Sequence, residues 1–153
     1  MSKYLNEQFG LDGQTAIVIG ATGEIGGALA EGICRAGANT VVVGRDEETG
    51  TTRAEEFSDL PGAGDASFIE CDTTSKSDLQ SLVDEVDETF GRIDVLVNSA
   101  GVNSATPFLD IEEEEWDNIM EVNLKGVFLA CQVVGEYLLD QGEGGSIINI
   151  SSM

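Results

Sequence analysis

The chain contains no histidine. Nucleophile arrangements built on imidazole, Ser-His-Asp or Cys-His, are therefore excluded, together with the commonest protein metal ligand. Cations are scarce as well: 7 Lys and Arg stand against 29 Asp and Glu, a formal charge of −22. A surface of that sign repels nucleic acid and anionic membrane, and neither is expected as a partner. Cys34, Cys71 and Cys131 are odd in number, far apart and set among apolar residues. That pattern argues against a disulfide framework or a zinc site and for reduced, buried thiols, so no metal is expected. No uninterrupted apolar run approaches the roughly 20 residues of a membrane span, and the amino-terminal MSKYLNEQFG has neither a basic start nor an apolar signal core. A soluble, cytoplasmic protein is the expectation.

What is present is enough for a core. With 153 residues, 41% of them apolar, the chain is expected to form a single domain over 1–153. TAIVI, Thr15 to Ile19, is a β-branched run suited to a fully buried strand. A helix follows, with Ile25, Leu29, Ile33 and Ala36 at spacings of three and four and Gly37 placed to end it in a left-handed turn. TVVVG, Thr40 to Gly44, is a second strand, and a polar helix runs from about Asp46 to Asp59. The turn PGAG leads into a third strand, SFIE, ending at Cys71 and Asp72. Leu79, Leu82, Val83, Val86 and Phe90 mark a helix closed by Gly91, before the strand IDVLV and the turn NSAG.

Asp110 reads as an N-cap with Glu113 three places on. It opens one long helix with apolar positions at Trp116, Ile119, Met120, Val127, Cys131, Val134 and Leu138. The carboxylates Glu112 to Glu115 fall in its first turn, where the helix dipole favours them. SIINISSM ends the chain as a fifth strand running out at Ser151 or Ser152. Strands alternating with helices in this way predict a parallel, doubly wound α/β sheet in three layers, truncated after the fifth strand.

Ligands of such sheets bind beyond the carboxyl ends of the strands, and the glycine-rich IVIGATGEIGGALAEGI lies there. Gly20 can make the tight turn, Gly23 can let main chain approach a pyrophosphate, and Gly26 can let the helix pack close to the sheet. The helix amides would meet the phosphates. The alternative is a tight strand-to-helix turn with close packing.

GATGEIG at Gly20 to Gly26, CD at Cys71 and Asp72, NSAG at Asn98 to Gly101, VNLKG at Val122 to Gly126 and SIINISS at Ser146 to Ser152 agree in order and spacing with one family. The chain resembles the short-chain dehydrogenase/reductases over nearly its whole length, departing at Ile19, Glu24 and Ser99. The resemblance implies a Rossmann fold, a nicotinamide cofactor and hydride exchange between an alcohol and a carbonyl. It places cofactor contacts at Gly20, Thr22, Gly23, Glu24, Ile25 and Gly26 in the loop, at Asp72 and Thr73, and at Asn98, Ala100 and Gly101. Glu24 is either a solvated first-turn residue or a polar contact to ribose or substrate.

By the same resemblance Asn123 holds a water and a backbone group in the proton relay, the alternative being a core Asn bonded to main chain. Ser152 hydrogen-bonds the substrate oxygen, with Ser151 as the fallback. Gly44 stands where an acidic residue would bind a ribose 2′-hydroxyl, and Arg45 after it can pair with a 2′-phosphate. That favours NADP with NAD possible, unless Arg45 is only a surface charge at a helix start. The family's Tyr-x-x-x-Lys would follow Ser152, but the chain stops at Met153. The expectation is thus a cofactor-binding part of an oxidoreductase, inactive alone, with a small alcohol or carbonyl substrate and a homo-oligomeric full-length form. The stretch GVNSATPFLDIEEEEWDNIMEVNLKGVFLACQVVGEYLL most resembles members acting on sugar acids and polyols. The other class left open is a shortened, non-catalytic dinucleotide-binding or interaction module.

The charge generates a prediction of its own. At −22 over 153 residues, carboxylates repel one another across a Debye length of about 30 Å at 0.01 M salt and about 3 Å at 1 M. A cytoplasm rich in salt suits such a chain; an ordinary acidic protein is the alternative. We expect the chain to be unfolded or associated in dilute buffer, with its long fourth helix as the dimer contact, and to gain structure in molar KCl. Circular dichroism and light scattering across a KCl series check this, and a compact monomer with one melting temperature from about 0.01 to 2 M would refute it.

Overall fold

The β-branched run Thr15–Ile19 forms β1, buried at every position. A computed structural model describes residues 8–151, so Ser152 lies outside the described residues. β2 (Asn39–Gly44), β3 (Ala66–Glu70), β4 (Val95–Asn98) and β5 (Ser146–Asn149) complete one sheet. All neighbours pair in parallel, in the order β3-β2-β1-β4-β5. The helices between them are α1 (Glu24–Arg35), α2 (Glu47–Ser58) and α3 (Lys76–Phe90), then α4 (Glu113–Met120) and α5 (Val127–Gln141).

Because strand side chains alternate, the two faces of the sheet feed two cores. Ile17, Ile19, Val41, Val43 and Leu96 pack with Leu79, Leu82 and Val86 of α3 and Ala130, Val133 and Val134 of α5. Val18, Val42 and Val97 point the other way, onto Ala30 and Cys34 of α1 and Ala54 and Phe57 of α2. The result is the three-layer, Rossmann-like architecture expected. Helix ends follow local chemistry: the side chains of Asp46 and Ser75 accept from the Thr49 and Asp78 amides, and Gly91 closes α3 at φ 74°.

Three expectations are corrected. The core stripe of α1 is Gly26, Gly27, Ala30 and Cys34, while Ile25 is 66% exposed. The helix lies so close to the sheet that only small residues fit directly beneath it; of the larger side chains expected in the stripe, Leu29 and Ile33 pack half-buried along its edge. Asp110 caps nothing: its amide donates to the Pro107 carbonyl in a 3₁₀ turn (Phe108–Asp110), Ile111 is extended, and α4 begins at Glu113 with no side-chain cap. The long fourth helix does run through Glu113–Gln141, but a π-helical turn, Glu121–Gly126, lies within it between α4 and α5 and shifts the helical phase; no residue of α4 is buried and Trp116 is 54% exposed. Cys34 and Cys71 are buried as expected, but Cys131 is only half-buried.

By length and composition the stretch Glu113–Gln141 is apolar enough to cross a membrane. Here α5 instead lays Ala130, Val133, Val134 and Leu138 into the core beside α3. Leu124, Phe128 and Leu139 remain exposed on it, and β5 has all four residues exposed.

The lower end of the sheet is tied by Asp94. Its Oδ2 accepts from the amide of wholly buried Thr15 at 2.8 Å, and Arg92 donates to both carboxylate oxygens at 2.8 and 2.6 Å. Its own amide and carbonyl bond Thr15 and Ser146, so one residue joins the starts of β1, β4 and β5. Burial works to raise the Asp94 pKa, but the Arg92 and Thr15 hydrogen bonds outweigh it and hold the carboxyl below the ordinary range. A depressed folded-state pKa contributes stability above the unfolded value, and that share is lost as pH falls through the folded one. We expect Asp94→Asn to cost about 1–3 kcal/mol in urea unfolding at neutral pH. The wild type should lose this advantage progressively below about pH 4, where the two curves converge.

Candidate functional site

The strand order reverses between β1 and β4, whose last residues Ile19 and Asn98 lie side by side. Above that point a cleft is lined by Gly20, Thr22, Gly23, Gly44, Arg45, Cys71, Asp72, Thr73, Thr74, Ser99, Ala100, Gly101 and Val102, among others. Every carboxyl-terminal loop from β1 to β4 contributes.

The floor is built by close approach of backbone to backbone. Gly20 has φ 82°, and a Cβ there would sit 2.5 Å from the Ala100 nitrogen. A Cβ on Gly26 would overlap the Gly20 carbonyl and the Ser99 hydroxyl, which itself donates to the Ile19 carbonyl at 2.6 Å. The turn after β1, the first turn of α1 and the loop after β4 are thus stacked with only the Ser99 hydroxyl between them. Gly23 by contrast is exposed, and a Cβ there would meet only the Gly20 carbonyl at 3.3 Å.

At one end of the cleft, a Cβ on Gly44 would overlap the Thr22 side chain. Arg45 follows, exposed and lining the cleft. Asp72 accepts from the Thr74 amide and hydroxyl at 2.9 and 2.8 Å. Those bonds hold its carboxyl below the ordinary range against a smaller opposing effect of burial, with Arg45 and Lys125 adding to them. The buried Cys71 thiol goes the other way, pushed up to about 12 by burial and then by Asp78 and Asp72, so it stays protonated and is no nucleophile. Among the described residues no group of His, Cys, Asp and Glu could hold a metal.

The expected contacts separate into two sets. Gly20, Thr22, Gly23, Arg45, Asp72, Thr73, Ala100 and Gly101 come together along the cleft. Glu24, Ile25, Gly26, Asn98 and Asn123 do not line it. The Glu24 carboxylate is wholly exposed, 3.7 Å from the Arg53 guanidinium. Asn98 is buried under the loop and donates to the Asn149 side chain at 2.8 Å. Asn123 stands in the π segment, where its amide pairs with main chain: the Oδ1 accepts from the Val102 amide and the Nδ2 donates to the Val102 carbonyl, both at 2.8 Å. It anchors the loop that forms the other end of the cleft, from an exposed position rather than a core one. Ser151 is exposed past β5.

Sequence reasoning did not single out Arg53, whose guanidinium lies against the back of the glycine loop and donates to the Ala21 and Gly23 carbonyls at 2.6 and 2.5 Å. Its only cue was a lone cation in an acidic helix. Ser99 was noted as a departure from a family pattern, not as the residue that joins two loops.

The model of the short chain dehydrogenase family matches residues 14–153. The chain belongs to that family. A relative, D-threitol dehydrogenase of Mycolicibacterium smegmatis, is 38% identical over 94% of this chain and 54% of its own length. The crystal structure of a short-chain dehydrogenase/reductase from Mycobacterium marinum superposes with a TM-score of 0.91 at 34% identity, covering 100% of this chain and 60% of that one. A gluconate 5-dehydrogenase from Burkholderia cenocepacia, solved with NADP and tartrate, gives a TM-score of 0.83 at 37% identity over 96% and 56% of the two chains. The chain therefore spans little more than half the length of these short-chain dehydrogenases.

Proposed function

We propose that the chain is the cofactor-binding part of an oxidoreductase that takes NADP in preference to NAD and exchanges hydride with an alcohol or carbonyl of the sugar-acid or polyol class. The observation that carries the cofactor choice is the end of β2. Gly44 is packed on Thr22 with no space for a side chain, so no carboxylate is available there for a ribose 2′-hydroxyl, and Arg45 beside it supplies a guanidinium for a 2′-phosphate. The rest of the cleft suits a dinucleotide: bare backbone at Gly20 and Gly23 and the amino terminus of α1 for the diphosphate, Asp72 and Thr73 for the adenine side, Ala100 and Gly101 beyond. The NADP-bound gluconate 5-dehydrogenase and the threitol dehydrogenase agree in kind with this reading.

When bound, the nicotinamide supplies the hydride donor or acceptor. The chain's own residues orient it: the Asn123 side chain fixes Val102 and hence the far wall of the cleft, and Ser152 is proposed to bond the substrate oxygen. A proton donor for that oxygen is a separate requirement. Tyr137 does not meet it, for its hydroxyl donates to Asp87 on the flank where α5 meets α3, and burial with that bond pushes its pKa up to about 12.

Two outcomes follow. Calorimetric titration should show NADP binding more tightly than NAD, with Arg45→Ala removing most of the difference, about tenfold for one charge-assisted phosphate contact; equal affinities in the wild type would overturn the assignment. The 153-residue chain should turn over gluconate-type sugar acids and polyols no faster than background. Turnover abolished by Ser152→Ala would show that a proton donor is already in place.

A further inference from the structure

Arg53 projects from α2 to the underside of the glycine loop, and the loop is shaped to receive it. Its side chain is only 19% exposed, and one nitrogen, Nη1, donates to both the Ala21 and Gly23 carbonyls, at 2.6 and 2.5 Å. A Cβ on Gly27 would overlap that nitrogen, so the bare first turn of α1 is the slot in which the guanidinium sits. Arg53 is absent from the cleft lining, whereas Thr22 and Gly23 face the cleft, so the contact is made from behind. Peptide units are planar and trans here, and carbonyl and N–H of one unit point in opposite directions. With the Ala21 and Gly23 carbonyls toward Arg53, the Thr22 and Glu24 amides point away from it. The Gly23 carbonyl also accepts from the Gly27 amide at 2.9 Å, so Arg53 reinforces an orientation that α1 already sets there and supplies the one at Ala21. Glu24 is the first residue of α1, where the amide has no partner within the helix.

We propose that Arg53 is a positioning residue for the cofactor diphosphate: it fixes the Ala21–Thr22 peptide with its amide outward, reinforces the Gly23–Glu24 peptide that α1 also holds, and places a positive charge behind both. The inference rests on the dinucleotide reading above. In a chain of charge −22, a phosphate approaching the loop meets a repulsive field in dilute buffer. Molar salt screens that field to about 3 Å, so what acts there is the short-range attraction of the loop amides and of the guanidinium behind them. A guanidinium bonded to carbonyls is not neutralised by them, and its Glu24 neighbour at 3.7 Å is wholly solvent-exposed and screens it weakly. The charge therefore remains available through one layer of backbone.

Three variants test this on the full chain in molar KCl: Arg53→Met, Gly27→Ala, which evicts the guanidinium without touching it, and Arg53→Lys, whose ammonium can donate to both carbonyls. Arg53→Met should weaken NADP binding by about tenfold or more, through loss of the fixed loop amides and of the charge behind them, and leave adenosine 2′-monophosphate, which lacks the diphosphate, within about twofold. Gly27→Ala should match it, the double variant should be no worse than either, and Arg53→Lys should recover most of the affinity. Unchanged NADP binding in Arg53→Met, or equal weakening of both ligands, overturns the proposal. Hydrogen exchange of the free chain supplies the second readout, with faster exchange of the residue 20–24 amides expected in Arg53→Met and Gly27→Ala. A wild type that binds neither NADP nor NAD refutes the dinucleotide reading and the diphosphate role together; exchange unchanged by Arg53→Met then refutes the loop-setting role as well.

Discussion

Where β1 and β4 end side by side, main chain has to pass main chain at van der Waals distance, and most of the molecule is arranged to allow it. Gly20 in its left-handed conformation turns the chain against Ala100, and Gly26 lets the first turn of α1 settle on Gly20 and Ser99. The small-residue underside of α1, Gly26, Gly27, Ala30 and Cys34, continues that approach down the helix. A single methyl group at Gly20 or Gly26 meets backbone or a bonded hydroxyl, none of which can yield cheaply. The same bareness that permits the packing exposes the amides of the loop. Site and fold thus share one cause, and a glycine here cannot be assigned to binding alone.

The second constraint is charge. With so few cations, their placement is informative. Arg35 with Glu31 and Lys125 with Glu121 are exposed i, i+4 pairs of small worth. Arg92 and Arg53 are different, for each is drawn to groups that organise backbone: Arg92 to the carboxylate of Asp94, a residue whose side chain and main chain together join the starts of three strands, Arg53 directly to two loop carbonyls. One lies at the amino-terminal end of the sheet and the other at the carboxyl-terminal end. The excess of carboxylates is left on the surface, as in the acidic first turn of α4, where only Glu115 is engaged, by Ser104 and Thr106.

The π segment between α4 and α5 shows why one stretch resisted simple reading. Its extra backbone width turns Asn123 toward Val102 and sets Gly126 against Thr73, so that the helix touches two cleft loops at once. The apolar residues on either side then fall out of phase, leaving Leu124 and Phe128 exposed while Ala130, Val133 and Val134 are buried.

Local chemistry by itself determined the order and type of the elements. β-branched runs such as Thr15–Ile19 and left-handed glycines at 37 and 91 depend on neighbours in sequence, and each was legible there; the caps at Asp46 and Ser75 are equally local but were not read. The glycine loop and Gly44 with Arg45 were legible for the same reason, since they sit at fixed offsets from strand ends; Asp72 was legible only through the family resemblance. Tertiary structure decided what depends on distant segments. Ile25 faces solvent because the sheet lies too close to admit it; Asp110 is no cap because a 3₁₀ turn over Phe108–Asp110 and an extended Ile111 put the start of α4 at Glu113, with Glu112 at the cap position; and Asn123 is exposed because the π turn points it at a loop 21 residues away. Arg53 acts across about 30 residues of chain on carbonyls that carry no sequence signal, since every residue has one. Hydrogen bonds to main chain are written in geometry, and only the folded sheet brings their partners together.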